Sequence, residues 1–284
     1  MALNITGGKI LRPQRVVVYG PEGIGKTTFA AQFPGVLFAD LEDGSHNLDV
    51  MRVSIDQDWS ELLLTINEIA RTEGVCKTLV IDTADRAEIL CTDALLSENK
   101  QKSIESFGYG KGYTYLVEKY KELLEGLDRC IKAGINVVLI AHARMKKVEQ
   151  PDQEGAYDHW ELKLSKNVAP LVKEWADMLL FCNYKTVVMD GKASGGKRYL
   201  YTNHTPWYDA KNRHGLDAKL ELDFSSIAHV IPGVDNVPVP AEAPAEAPKS
   251  RKARRHEAAK EEMEAEMERI DEIAGEREAV PFEE

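Results

Sequence analysis

Val16-Val-Val-Tyr-Gly-Pro-Glu-Gly-Ile-Gly-Lys-Thr-Thr28 is a short apolar run feeding a complete GxxxxGK[ST] loop, and the rest of the chain is read around it. Val16 to Tyr19 has the unbroken apolar character of a strand buried on both faces. Gly20, Gly23 and Gly25 allow a turn tight enough for consecutive N–H groups to face one anion. Lys26 adds a point charge that reaches β and γ phosphates, Thr27 offers a hydroxyl to Mg²⁺, and a helix expected over Lys26 to Gln32 aims its positive end at the same place. The expected nucleotide-binding stretch is therefore Gly20, Pro21, Glu22, Gly23, Ile24, Gly25, Lys26, Thr27 and Thr28. A chance glycine-rich turn is the alternative, and a strand before it with a helix after it weighs against that.

The core alternates strand and helix patterns, which predicts a mainly parallel sheet covered on both faces. Strands are expected at Val36 to Ala39, Thr78 to Ile81 and Asn136 to Ala141, with Met178 to Phe181 extended. Helices are expected at Trp59 to Arg71, about Arg86 to Leu96, Tyr113 to Lys132 and Leu171 to Ala176. Lys185 to Met189 and Arg198 to Thr202 flank Asp190-Gly-Lys-Ala-Ser-Gly-Gly and read as a hairpin.

In an open α/β sheet ligands sit beyond the carboxyl ends of the strands. Asp82, directly after Leu79-Val-Ile, is the expected acid opposite Thr27 in a metal site. Phe38-Ala-Asp-Leu-Glu-Asp-Gly44 places carboxylates beyond the second strand, where one is needed to orient or deprotonate an attacking water.

From Val16 to about Met145 the order of these motifs resembles the RecA-type recombinase core, and within it the small RecA-like phage ATPases assigned to single-strand annealing. The fold implied is a RecA-like P-loop NTPase core with C-terminal β-hairpin additions, and the ligands implied are ATP and Mg²⁺. Asp40-Leu-Glu-Asp43 is similar to the Asp-Ala-Glu-His element of RecA, which makes Glu42 the implied catalytic base, with Asp40 a strand-end cap and Asp43 a turn residue. Leu139-Ile-Ala-His-Ala-Arg-Met-Lys-Lys147 is similar to an Ile-Asn-Gln-Ile-Arg-Met-Lys stretch whose glutamine senses the γ phosphate. His142 stands at that glutamine, either as sensor or as a satisfied structural group.

The resemblance also implies two loops facing single-stranded DNA. Glu98 to Tyr113 mixes glycine, lysine and aromatics, with Phe107, Tyr109, Lys100, Lys102 and Lys111 the candidates. The second is a loop from Arg144 to about His159, for which an ordinary surface loop is the alternative. Asp209-Ala-Lys-Asn-Arg-His-Gly215 resembles the Lys-x-Arg-x-Gly element of DnaB-type helicases and its RadA counterpart, which implies that Lys211 and Arg213 reach the γ phosphate of a neighbouring subunit. A basic turn after a strand is the alternative.

Together these readings describe a Mg²⁺-dependent ATPase, a homo-oligomer with ATP between subunits, that binds single-stranded DNA for annealing or recombinase-like strand exchange. A translocating DNA motor and a nucleotide-switched assembly factor that binds only protein are the alternatives.

Composition shifts after residue 233, so the reading divides residues 1–233, the ATPase core, from 234–284, a tail. Val237 onward reads VPVPAEAPAEAPKS, an extended linker, followed by the basic cluster Lys249, Arg251, Lys252, Arg254 and Arg255. Met263, Met267, Ile270 and Ala274 then form a thin helical stripe, either a docking helix for a partner or a solvated helix, and the tail as a whole is the expected contact for a single-stranded-DNA-binding protein or other recombination protein. From Pro238 there are 8 basic and 14 acidic residues, a balance of −6 out of the formal −11, which leaves the core only mildly acidic. Acidity therefore does not exclude a nucleic-acid surface. Cys76, Cys91, Cys130 and Cys182 lie in apolar runs without CxxC spacing and read as free thiols. The absence of an 18-residue apolar stretch or a leader pattern reads as a cytoplasmic chain, in the host cytoplasm if phage-encoded, with no membrane partner.

Overall fold

The computed structural model describes residues 7–8, 10–56, 58–149, 155–189 and 192–233, with the main chain alone at 186–189 and 192–195. Nine strands form the sheet: β1 (Arg15–Gly20), β2 (Val36–Asp40), β3 (Met51–Val53), β4 (Thr78–Asp82), β5 (Asn136–Glu149), β6 (Ala156–Leu162), β7 (Met178–Met189), β8 (Lys192–Tyr201) and β9 (Lys219–Glu221). Their order is β3-β2-β4-β5-β1-β7-β8-β9, with β6 paired to β5 off this path. The pairs from β3 through β7 are parallel, and β8 and β9 are added antiparallel. Among the described residues five α-helices accompany them: α1 (Lys26–Ala30), α2 (Trp59–Arg71), α3 (Ala84–Glu98), α4 (Lys111–Lys132) and α5 (Val168–Trp175).

The central strand shows why the sequence folds this way. Val16, Val17, Val18 and Tyr19 are all fully buried. Successive side chains point to opposite faces, so Val17 and Tyr19 join a core with α2 to α5 while Val16 and Val18 join one with α1, Ile227 and Ile231. Each fully buried Val or Leu stabilises such a layer by roughly 1.5–3 kcal/mol, so a one-residue slip of β1 would exchange every contact. On α2, Leu62, Ile66 and Ile69 bury one stripe, and Asp58 caps the start by accepting from the Glu61 N–H at 2.9 Å.

Several boundaries differ from the sequence reading. The region from Arg144 to His159 is not a plain loop: β5 runs on to Glu149 and turns back as β6, with Arg144 opposite Glu161 and Met145 opposite Trp160. Cross-strand pairs give this hairpin its order, since Arg144 binds Glu161 at 2.8 Å and Trp160 lies 6.1 Å from the buried Phe181. β7 continues to Met189, with a register shift against β8 between Tyr184 and Thr186, and Met189 pairs with Lys192, so the expected hairpin turn is shorter than Asp190 to Gly196. α3 begins two residues earlier than expected because Thr83 caps it, accepting from the Arg86 N–H at 3.2 Å. The linker and the stripe from Met263 to Ala274 lie outside the described residues.

Candidate nucleotide site

The phosphate loop hangs from the carboxyl end of β1, and glycine is required at two of its turns for different reasons. A Cβ on Gly20 would lie 2.3 Å from the Cys182 carbonyl oxygen on the neighbouring strand. Gly25 has φ +104°, and a Cβ there would meet the Arg198 guanidinium at 2.6 Å. Phe29 and Ala30, on the buried face of α1, fix the loop to the sheet.

Lys26 is folded across this loop. Its Nζ donates to the carbonyls of Gly20 at 3.0 Å and Pro21 at 2.9 Å, and burial lowers its pKa. Thr27 Oγ1 donates to Asp82 Oδ2 at 2.9 Å. Asp82 is buried at the end of β4, two strands from β1, and burial pushes its carboxyl up to about 6 against the opposing bond from Thr27. The donors facing one another here are a hydroxyl and a carboxylate, oxygen ligands suited to a hard cation such as Mg²⁺. With the glycine cradle beside them, the residues present fit a magnesium nucleotide.

The acidic turn after β2 divides its labour. Asp40 accepts from the N–H groups of Glu42 at 3.2 Å, Gly44 at 3.2 Å and Ser45 at 2.8 Å. Burial raises its carboxyl, but these bonds outweigh it and hold the group below the usual range. Asp40 is thus occupied as the strand-end cap, and Asp43 takes a turn position with φ 55°. Glu42 remains as the carboxylate projecting from the turn, and its Oε1 accepts from the Thr83 hydroxyl at 2.8 Å. Glu42, Asp85 and His142 each bring a ligand atom within 4.8 Å of the others.

His142 sits in register with Gly20 of β1, at the level where β4 has already ended. Its backbone N–H donates to Asp85 Oδ1 at 2.9 Å and its Nδ1 meets Asp85 Oδ2 at 2.8 Å. The bond to Asp85 raises the His142 pKa, while burial opposes it.

The remaining expected residues lie elsewhere. Lys211 and Arg213 lie toward the opposite end of the strands: Lys211 bridges Leu179, level with Val17, and Arg213 reaches Asp177, level with Arg15, so the length of β1 separates Arg213 from its own phosphate loop. Lys211 Nζ donates to the carbonyls of Lys173 at 3.0 Å, Glu174 at 3.2 Å and Ala176 at 2.6 Å, closing the end of α5. Arg213 shares Asp177 with Arg12, and 54% of its side chain is exposed. Of the DNA-loop candidates, Tyr109 is fully exposed and Lys100, Lys102 and Lys111 are exposed. Phe107 is partly buried, packed against the core with its ring 5.5 Å from Tyr115.

Four residues near the site escaped the sequence reading. Thr83 and Asp85 were accessible in principle, because Thr-x-x-Arg after a strand is a helix-cap pattern and Asp85 falls on the first turn behind Asp82. Tyr184, whose hydroxyl approaches the Gly23 carbonyl at 3.4 Å, and Arg198, which donates to the Ile24 carbonyl at 3.2 Å, carry no local signal. Only the β7–β8 pairing brings them to the loop.

A family model described as AAA domain (AAA_24) matches residues 12–214, most of the chain. The chain belongs to this AAA-domain family. No curated protein matches it in sequence. Among solved structures, the KaiC-like protein PH0186 from Pyrococcus horikoshii OT3 is 16% identical, with 67% of this chain and 78% of that one covered and a TM-score of 0.39. The flagellar accessory protein FlaH from Methanocaldococcus jannaschii is 10% identical, with 69% and 80% covered and a TM-score of 0.36. The strand order, the loop at the end of β1 and the membership of the AAA-domain family together make this a P-loop ATPase of RecA-like build. No helix among the described residues is long and apolar enough to cross a membrane.

Proposed function

We propose that this chain is a Mg²⁺-dependent ATPase that binds single-stranded DNA and assembles with ATP between subunits, in phage-type annealing or recombinase-like exchange. The observation that carries the reading is the convergence at one sheet edge of Lys26, the Thr27–Asp82 pair and the Glu42–Thr83 pair. Mg²⁺ bound there would supply charge neutralisation to the β and γ phosphate oxygens. Thr27 and Asp82 would hold it, and Lys26 would exchange its two carbonyl bonds for phosphate oxygens. Glu42 orients the attacking water and takes its proton on a carboxylate oxygen, while Thr83 restrains the other degree of freedom by its bond.

Support for the nucleic-acid half comes from the exposed Tyr109 flanked by Lys100, Lys102 and Lys111, an aromatic face for bases of any identity among cations for phosphates. The exposed Lys146 and Lys147 on the β5–β6 hairpin extend the same chemistry, and β5 joins that hairpin directly to His142. Support for assembly comes from Arg213, which is too far along the sheet to serve its own loop and exposed enough to serve another. The tail would dock a second recombination protein.

The test is ATP turnover without nucleic acid, with single-stranded DNA and with duplex DNA, across a salt series. Stimulation by single strands that fades with salt supports the proposal. Salt-sensitive single-strand binding that is missing in every nucleotide state would leave a protein-only switch, and strand displacement from a forked duplex would make the chain a motor.

A further inference from the structure

His142 occupies a place where a neutral amide would suffice to detect a phosphate by hydrogen bonding, yet its surroundings are those of a cation. The reason begins in the sheet. β4 ends at Asp82, opposite Ile140, so the N–H of His142 two residues on has lost its strand neighbour. A buried N–H without a partner is costly, and the first turn of α3 supplies one in Asp85 Oδ1. The second oxygen of the same carboxylate reaches Nδ1 of the ring. This two-point grip fixes the ring's orientation and places the proton on Nδ1, leaving Nε2 as the nitrogen that can meet a ligand.

Charged groups face the ring from three elements. Asp85 comes from α3 and Glu42 from the turn after β2, and both favour the protonated ring; Lys26 comes from α1 and opposes them. Arg144, two residues along β5, is paired outward with Glu161. His142 and Asp85 are each mostly buried, at 18% and 12% side-chain exposure, so solvent screens the pair little.

We infer that Asp85 is a positioning residue that keeps His142 an imidazolium, so that this chain meets the terminal phosphate with a cation, and turnover falls as that proton leaves. The inference rests on the ATPase reading above, with His142 as the sensing group. Both ring nitrogens donate in the imidazolium, one to Asp85 and one to a phosphate oxygen. In the neutral ring Asp85 retains the Nδ1 proton, and Nε2 presents a lone pair that repels the phosphate. Loss of the terminal phosphate removes an anion from the ring, and β5 carries that difference in its first half straight into the hairpin.

The experiment uses the full chain. Histidine ring titrations by NMR without nucleotide, assigned with His142→Gln, are compared between wild type and Asp85→Asn. Asparagine still accepts the backbone N–H of His142 but no longer stabilises the charge. The inference expects the wild-type ring to titrate above 6.5 and the Asp85→Asn ring to titrate lower, by about one pH unit or more. The steady-state pH profile should show an alkaline loss of turnover that moves by the same amount in Asp85→Asn, about tenfold at a fixed pH above both limbs, and vanishes in His142→Gln. A ring that titrates at its ordinary value, or one unmoved by Asp85→Asn, overturns the inference, as do coincident alkaline limbs in the two proteins. The ring shift is read without nucleotide, so absent turnover at every pH would contradict the ATPase reading and be told apart from it.

Discussion

Two lysines in this molecule make nearly the same contacts toward opposite ends of the strands of one sheet, and the difference between them separates a binding group from a structural one. Lys26 donates to two main-chain carbonyls of a glycine-rich loop, and Lys211 to three at the end of α5. Both have lowered pKa values, with burial the first cause in each. Around Lys26, however, the loop has left-handed glycines, a hydroxyl–carboxylate pair beside it and a second carboxylate held within reach. Its ammonium can exchange two main-chain carbonyls for a polyanion. Around Lys211 the carbonyls belong to the end of α5, and Asp177 next to it is already divided between Arg12 and Arg213. A lysine's partners alone thus do not define its role; what replaces it when it moves does.

The comparison is broken most sharply by turnover. Lys26→Met should abolish ATP hydrolysis in a variant that remains folded, because the loop loses the charge that meets the phosphates. Retained hydrolysis would remove the phosphate-loop assignment. Arg213→Ala should lower turnover by about 10³-fold if it acts on a neighbour's phosphates. Mixing it with a Lys26→Met partner should restore part of the rate, since each mixed interface pairs an intact loop with an intact arginine; failure to rescue in demonstrably mixed oligomers would count against a trans role. Glu42→Gln should retain nucleotide binding and slow hydrolysis by roughly 10²-fold or more. Wild-type rates in that variant would place the base elsewhere.

Lys211→Met sharpens the other side. It should cost about 0.5–1.5 kcal/mol in denaturant unfolding by removing its hydrogen bonds to the end of α5, with turnover within a few-fold of wild type. A collapse of turnover with unchanged stability would instead give Lys211 the trans catalytic role that the Lys-x-Arg-x-Gly resemblance implies.

The smallest effect is a pH dependence of folding stability from the Asp85–His142 pair. Burial raises the Asp85 carboxyl, but the bonds from His142 outweigh it and hold its folded-state pKa below the usual value. The His142 folded-state pKa is raised, first by its bond to Asp85. Asp85 therefore stabilises the fold above its unfolded pKa and loses that contribution as pH falls through the depressed value. His142 stabilises it below its unfolded pKa and loses that contribution as pH rises through the raised value. Thermal melts of wild type should exceed those of Asp85→Asn most between these limits and converge beyond them.

The two ends were not equally legible in the sequence. The phosphate loop could be read because its chemistry demands a contiguous string, with each glycine required by local backbone geometry. Asp82 followed because a strand-end position is visible as the first acid after an apolar run. Glu42 was singled out by resemblance, while its distinction from Asp40 and Asp43 became physical only when three N–H groups were found on Asp40. Thr83 and Asp85 were present as cap-like residues, but which strand-end atoms they would meet depends on β4 stopping two residues short of His142. Arg198, Tyr184 and the structural grip of Lys211 depend on contacts across more than thirty residues, and no spacing rule encodes them. The β5–β6 hairpin was hidden for a related reason: its charged residues resemble a loop until Arg144 finds Glu161 and Trp160 finds Phe181.

The central claim is that a triphosphate replaces the Gly20 and Pro21 carbonyls as the partner of Lys26. Equilibrium binding of magnesium ATP to the wild-type chain and to a folded Lys26→Met variant, followed by calorimetry, tests it most directly. One saturable site per chain is expected in wild type, with a loss of affinity of about 100-fold or more in the variant, equivalent to roughly 2.7 kcal/mol or more. Wild-type protein that is folded and binds no ATP, or a variant that binds it equally well, would contradict the account.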